Sequence, residues 1–143
     1  MSIDERKNFI PVRIAVLTVS DTRSLADDKS GSVLNERIEN SGHQVVFRDI
    51  IEDDRQKIRS KLEDWIENDA VDVIISTGGT GLTGRDVTVE AHRDVYEKEI
   101  DAFGIVFSII SMEKIGTSAI QSRSTAGVAR GTCLLYTSDA ADE

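Results

Sequence analysis

Short, continuous apolar runs alternate along the chain with stretches whose apolar positions recur at helical spacing. Residues 11–20 (PVRIAVLTVS) form an apolar, β-branched run that predicts a buried strand. A polar, loop-like segment follows over residues 21–30. In residues 31–41 the apolar positions Val33, Leu34 and Ile38 fit a helix, and Gly42 supplies a C-terminal stop. Residues 43–51 alternate and then become apolar, which predicts a second strand. Asp53 or Asp54 can cap a helix whose inner face is Ile58, Leu62, Trp65 and Ile66. A third strand is expected over residues 71–75 and a helix from about Val87. The stretch 100–114 is helical in pattern but unusually apolar, with Phe103, Ile105, Val106, Phe107, Ile109 and Ile110. That excess predicts a buried helix or a subunit interface. Residues 116–120 read as a short strand and 122–129 as a short helix. Residues 131–135 open like one more buried strand. Strands alternating with helices predict an α/β fold, a three-layer, doubly wound, mostly parallel sheet.

The stretch richest in chemical meaning is Val73 to Gly81 (VIISTGGTG), with Asp86 shortly after it. Three glycines directly after a buried strand let backbone N–H groups approach a ligand with no Cβ in the way. The carboxyl end of a parallel strand is also where open α/β sheets bind anions, often phosphates. The stretch matches neither the Walker pattern nor the G-x-G-x-x-G dinucleotide fingerprint. Asp86, Thr88 and Glu90 add polar groups where the next helix should begin.

Composition narrows the classes. The 143 residues suit one domain, and 39% hydrophobic with 30% charged residues predicts a globular chain rather than a disordered one. A net charge of −9 argues against non-specific nucleic-acid binding but leaves a local phosphate site open. A single cysteine, Cys133, excludes an intramolecular disulfide and a cysteine-based zinc cage. No apolar run has membrane-spanning length and residues 1–8 lack a signal-peptide core, so no membrane partner and a cytoplasmic location are expected.

Five motifs then agree in order: residues 18–23 (TVSDTR), 77–81 (TGGTG), 85–91 (RDVTVEA), Phe103-Gly104, and 115–127 with IGTS and QSRSTAG. Together they resemble the MoaB/MogA family of molybdenum cofactor biosynthesis, the last stretch being closer to the MoaB branch. The resemblance covers about residues 12–132. It implies the molybdopterin-binding α/β fold, shared with gephyrin. It also implies adenylylation of molybdopterin with ATP and Mg²⁺ before molybdate insertion, and assembly as a homotrimer or homohexamer. A molybdate-inserting protein would be a partner. Where family members continue with a proline- and glycine-containing loop that helps bind the pterin, this chain has CLLYTSDAADE, and Pro11 is its one proline. The expected division is therefore an N-terminal extension (1–10), a C-terminally incomplete domain (11–132) and a non-native tail (133–143). Loss of family sequence at this point predicts instability.

Joining two anions requires neutralising both and aligning the attacking oxygen with phosphorus. Mg²⁺ takes oxygen ligands and needs only one or two carboxylates. The resemblance matches Asp86 to an acid needed for catalysis and Asp53 to the acid after the second strand; both would hold the metal. The run Glu52-Asp53-Asp54 leaves that match open by one residue. Taken alone, Asp86 could equally cap a helix and Asp53 could be a solvated cap. Ser20 and Asp21 end the first strand, where the family sets its serine near the pterin; an ordinary turn would use the same residues. Thr77, Gly78, Gly79, Thr80 and Gly81 form the candidate cradle. Ser122 and Arg123 could meet the terminal phosphate, or be a helix cap and a solvated charge. Glu90 reads as a helix-surface residue or structural acceptor. His43 and His92 lack a Cys/His cluster and do not read as metal ligands. A pterin-binding protein without turnover is the alternative from another class, and a structural assembly subunit ranks below it.

Overall fold

A computed structural model describes residues 8–22, 24–79, 87–116 and 123–138. The described elements run β1 (Arg13–Val19), α1 (Lys29–Asn40), β2 (Gln44–Ile51), α2 (Arg55–Ile66), β3 (Val73–Gly78), α3 (Thr88–Val95), β4 (Lys98–Glu99), α4 (Asp101–Ile115), β5 (Ser124–Ala129) and β6 (Thr132–Thr137). A single 3₁₀ turn, Leu25–Asp27, precedes α1. The strands form one sheet in the order β2-β1-β3-β6-β5-β4. β2, β1, β3 and β6 are mutually parallel, whereas β5 runs antiparallel to β6 and to β4.

Side chains alternate across a strand, so β1 feeds both faces of the sheet. Ala15, Leu17 and Val19 join Ile74 and Leu134 under Ile58, Leu62, Trp65 and Ile66 of α2 and Ala91 of α3. Ile14 and Val16 pack on the opposite face with Ile38 and Leu34 of α1. Helices on both faces of a mostly parallel sheet make the three-layer, doubly wound architecture expected from the pattern. All four residues expected on the inner face of α2 are buried.

Carboxylates hold the starts of α1 and α2. The Asp54 side chain accepts the Lys57 amide (2.9 Å) and caps α2. Asp28 caps α1 by accepting from Gly31 (3.0 Å), and it is buried. Its other oxygen accepts from the Thr18 hydroxyl (2.7 Å) and from Arg48 (3.3 Å). A buried carboxylate needs such partners, because an unpaired charge there would cost several kcal/mol.

Two expectations are corrected. Where a short helix is foreseen over 122–129, Ser124–Ala129 is strand β5. Arg130 (φ 49°) and Gly131 (φ 82°) both take positive φ, and the Ala129–Thr132 pair closes a two-residue hairpin that forces the preceding segment into the sheet. Nor is α4 a buried helix: within it Ser111 is the buried residue, while Ile105, Val106, Ile109, Ile110 and Met112 are exposed. The strand foreseen over 116–120 lies outside the described residues, apart from Gly116 at the end of α4. Residues 133–137 pair within β6, between β3 and β5. Among the described residues, no helix is long and apolar enough to cross a membrane.

Leu62 is fully buried between α2 and the sheet. Leu62→Ala should lower the unfolding free energy by about 3 kcal/mol through lost burial and the cavity left behind, measured as the shift of a urea unfolding curve.

Candidate functional site at the carboxyl ends of β1, β2 and β3

From β1 the chain passes through α1 to β2 on one side, and from β2 through α2 to β3 on the other. β1 and β3 therefore part at the topological switch point, where doubly wound sheets take their ligands. The two strands end level, with Val19 opposite Gly78. The Gly79 amide donates to the Val19 carbonyl (3.1 Å), and Gly78 and Gly79 both take positive φ (96° and 62°). A Cβ on Gly78 would overlap the Val19 carbonyl oxygen, and one on Gly79 the Thr88 hydroxyl. The Tyr136 hydroxyl donates to the Gly78 carbonyl (2.5 Å) and fixes the turn from the β6 side.

Around this turn the polar groups converge. The Ser20 amide donates to the Ile51 carbonyl (2.9 Å), which joins the ends of β1 and β2. The Asp53 amide donates to the Asp21 carboxylate (3.0 Å), and the Thr88 hydroxyl donates to Asp53 Oδ1 (3.2 Å). The three acids after β2 take separate tasks: Glu52 pairs with Lys57 (2.8 Å), Asp54 caps α2, and Asp53 reaches across to α3. An Arg55–Asp94 pair, with two contacts of 2.7 Å, ties the start of α2 to the end of α3. It holds the Asp94 carboxyl below its ordinary pKa.

Beneath Thr88 lies His92, fully buried. Its Nδ1 sits 2.8 Å from the Thr88 carbonyl, which can only accept, so Nδ1 carries the proton. Its Nε2 then accepts from the Ser76 hydroxyl of β3 (2.8 Å). Burial pushes the imidazole pKa down to about 4.

A family model described as "Probable molybdopterin binding domain" matches residues 15–136. The molybdenum cofactor biosynthesis protein B of Escherichia coli K12 is 46% identical over 126 residues, covering 88% of this chain and 74% of the relative. A crystal structure of a molybdenum cofactor biosynthesis protein B superposes with a TM-score of 0.89 at 37% identity, covering 92% and 83% of the two chains. The tungsten cofactor synthesizing protein MoaB of Pyrococcus furiosus gives 0.74 at 34% identity, covering 90% and 81%. This chain belongs to the MoaB/MogA family.

Within that family fold, Ser20, Asp21, Asp53, Thr77, Gly78 and Gly79 gather at the ends of adjacent strands or just beyond them. Thr80, Gly81, Asp86 and Ser122 lie outside the described residues, and α3 begins with Val87 in its cap position. Arg123 turns its guanidinium onto Glu90 of α3, with contacts of 2.7 and 3.3 Å, and depresses that carboxyl's pKa. Glu90 is thus the structural acceptor foreseen from the sequence. Thr88 belongs to the polar group read from the sequence at the start of α3, whereas Ser76 and His92 are not read there as site-forming residues. The visible signal was the i, i+4 spacing of Thr88 and His92; their link to β3 is tertiary.

The imidazole's folded pKa, about 4 against an ordinary 6.5, fixes the sign of a pH effect. The unfolded chain binds this proton more readily, so the contribution is intact above about pH 6.5 and falls as pH drops toward 4. The total is about 3 kcal/mol. In urea unfolding at pH 7, 5.5 and 4, His92→Leu should show a flatter loss of stability than the parent.

Proposed function

We propose that this chain acts in molybdenum cofactor biosynthesis as a cytoplasmic adenylyltransferase, joining AMP from ATP to the terminal phosphate of molybdopterin before molybdate is inserted. The observation carrying this reading is the meeting of Asp53, Asp21 and Ser20 with the Gly78–Gly79 turn at the switch point of a MoaB/MogA-family sheet. Relatives named for molybdenum cofactor biosynthesis, and one for tungsten cofactor synthesis, support it.

In the transfer, an oxygen of the pterin's terminal phosphate attacks the α-phosphorus of ATP. The new P–O bond replaces the bond to the departing pyrophosphate, so atoms and charge balance without a redox step. The side-chain-free turn lets phosphate oxygens come close to the backbone, and Thr77, with Thr80 and Gly81 of the same sequence motif, would serve the same phosphate. Ser20 donates to a phosphate or pterin oxygen, while Ser122 and Arg123 meet the terminal phosphate. Hard carboxylate oxygens suit Mg²⁺, and the Asp53 carboxylate, oriented by the Thr88 hydroxyl, stands close to Asp21 at these strand ends. Asp53 and Asp86 would hold the ion. Bound Mg²⁺ supplies neutralisation of the phosphate charge.

Asp53→Asn and Asp86→Asn should each lower formation of adenylylated pterin by about a hundredfold or more, with melting temperatures close to the parent's, as read by chromatography of the products. Tight pterin binding by the parent with no ATP consumed would overturn the enzyme reading in favour of a cofactor-handling module.

The exposed Ile105, Val106, Ile109, Ile110 and Met112 of α4 support assembly through this helix as a homotrimer or homohexamer, with a molybdate-inserting protein as a further partner. Sedimentation should find the parent chain oligomeric and the Ile105→Glu/Ile109→Glu variant monomeric. A monomeric parent would count against the assembly.

A further inference from the structure

We propose that His92 is a positioning residue for the Asp53 carboxylate, acting through Thr88. The route is continuous. Ser76 on β3 donates to His92 Nε2, His92 Nδ1–H donates to the Thr88 carbonyl, and the Thr88 hydroxyl donates to Asp53 Oδ1. Ser76, Thr88 and His92 are buried, so each polar group depends on the next for its partner.

The geometry explains why a histidine suits this place. Residue 92 lies one turn beyond Thr88 on α3 and faces Ser76, which lies two residues before Gly78 on the same strand. An imidazole is rigid and presents a donor and an acceptor on opposite edges, so it can bridge a hydroxyl and a carbonyl at fixed separation. It therefore pins the first turn of α3 to the strand that ends in the glycine turn. Thr88 is then set by the same strand that sets Gly78 and Gly79. The Thr88 hydroxyl occupies the space a Gly79 Cβ would need, so the pin also fixes how closely α3 approaches the turn. Without the bridge, α3 would lose this polar tie to β3, and the Thr88 hydroxyl would be less firmly set against Asp53.

The proposal rests on the adenylyl-transfer reading for what Asp53 does, but its geometric content can be tested separately. On the full chain, ¹⁵N and ¹³C NMR of labelled histidine at pH 7 should find His92 neutral with the proton on Nδ1. A proton on Nε2 would overturn the proposal. A double-mutant cycle should compare the parent, His92→Leu, Asp53→Ala and the double variant by urea unfolding, because Ala removes the acceptor of the Thr88 hydroxyl whereas Asn would keep one. Positioning predicts coupling of at least about threefold in the unfolding equilibrium constant, although the two side chains do not touch; additive effects would overturn it. Ser76→Ala, a milder break in the same chain, serves in the cycle if His92→Leu does not fold.

Mn²⁺·ATP binding, read by electron paramagnetic resonance, supplies the second arm. Binding should weaken about tenfold in His92→Leu. His92→Asn, whose amide N–H can still reach the Thr88 carbonyl, should recover most of it. An unchanged affinity in His92→Leu would overturn the proposal. Coupling in the cycle with no Mn²⁺·ATP binding by the parent would sink the adenylyl-transfer reading, and would leave His92 holding Asp53 in place.

Discussion

Where β1 and β3 end side by side, the Val19 carbonyl accepts the amide proton of Gly79 and leaves no space for a side chain at Gly78. The site depends on that contact. It stops both strands at the same level and turns the chain out of the sheet with two residues at positive φ. The next segments must then start from fixed points. Ser20 and Asp21 leave β1 beside β2, whose end delivers Asp53 against Asp21. A larger residue at Gly78 would push the strands apart at the place where the polar groups meet.

Each face of the sheet carries a buried polar node close to these strand ends, surrounded by apolar packing. On the α1 face, Thr18 and Arg48 satisfy the Asp28 carboxylate that caps the helix. On the α2 and α3 face, Ser76 and the Thr88 carbonyl satisfy both nitrogens of His92. Buried polar groups add little net stability when paired and cost much when unpaired, so their main effect is to admit one arrangement of the helix starts. Apolar packing by Leu17, Ile58, Leu62, Ile74 and Leu134 supplies the driving force; the nodes set register.

α4 follows another logic. Its apolar residues point outward, with Ile105 at 63% and Ile109 at 55% exposure, while the helix touches the sheet mainly through β5. Gly104 packs next to Ser124 of β5. Packing against its own sheet therefore does not account for the apolar outer side of this helix.

The sequence by itself determined the class of fold and most of its elements. Periodicity separates β1 from α1 and α2, and the burial of Ile58, Leu62, Trp65 and Ile66 follows from one amphipathic stripe. The glycine turn after β3 and the motifs around it were equally local, because they are set by contiguous residues. Tertiary structure decided what depends on partners distant in the chain. β5 is a strand because a hairpin pairs it with β6, despite a short run of small residues that also suits a helix. Asp53, rather than Glu52 or Asp54, faces Thr88 because Lys57 and the α2 amide engage its neighbours. Arg123 meets Glu90, 33 positions away, and His92 meets Ser76, 16 positions away. Hydrogen bonding at such separations leaves no periodic trace in a single sequence, so only the folded chain shows which polar residue each strand end receives.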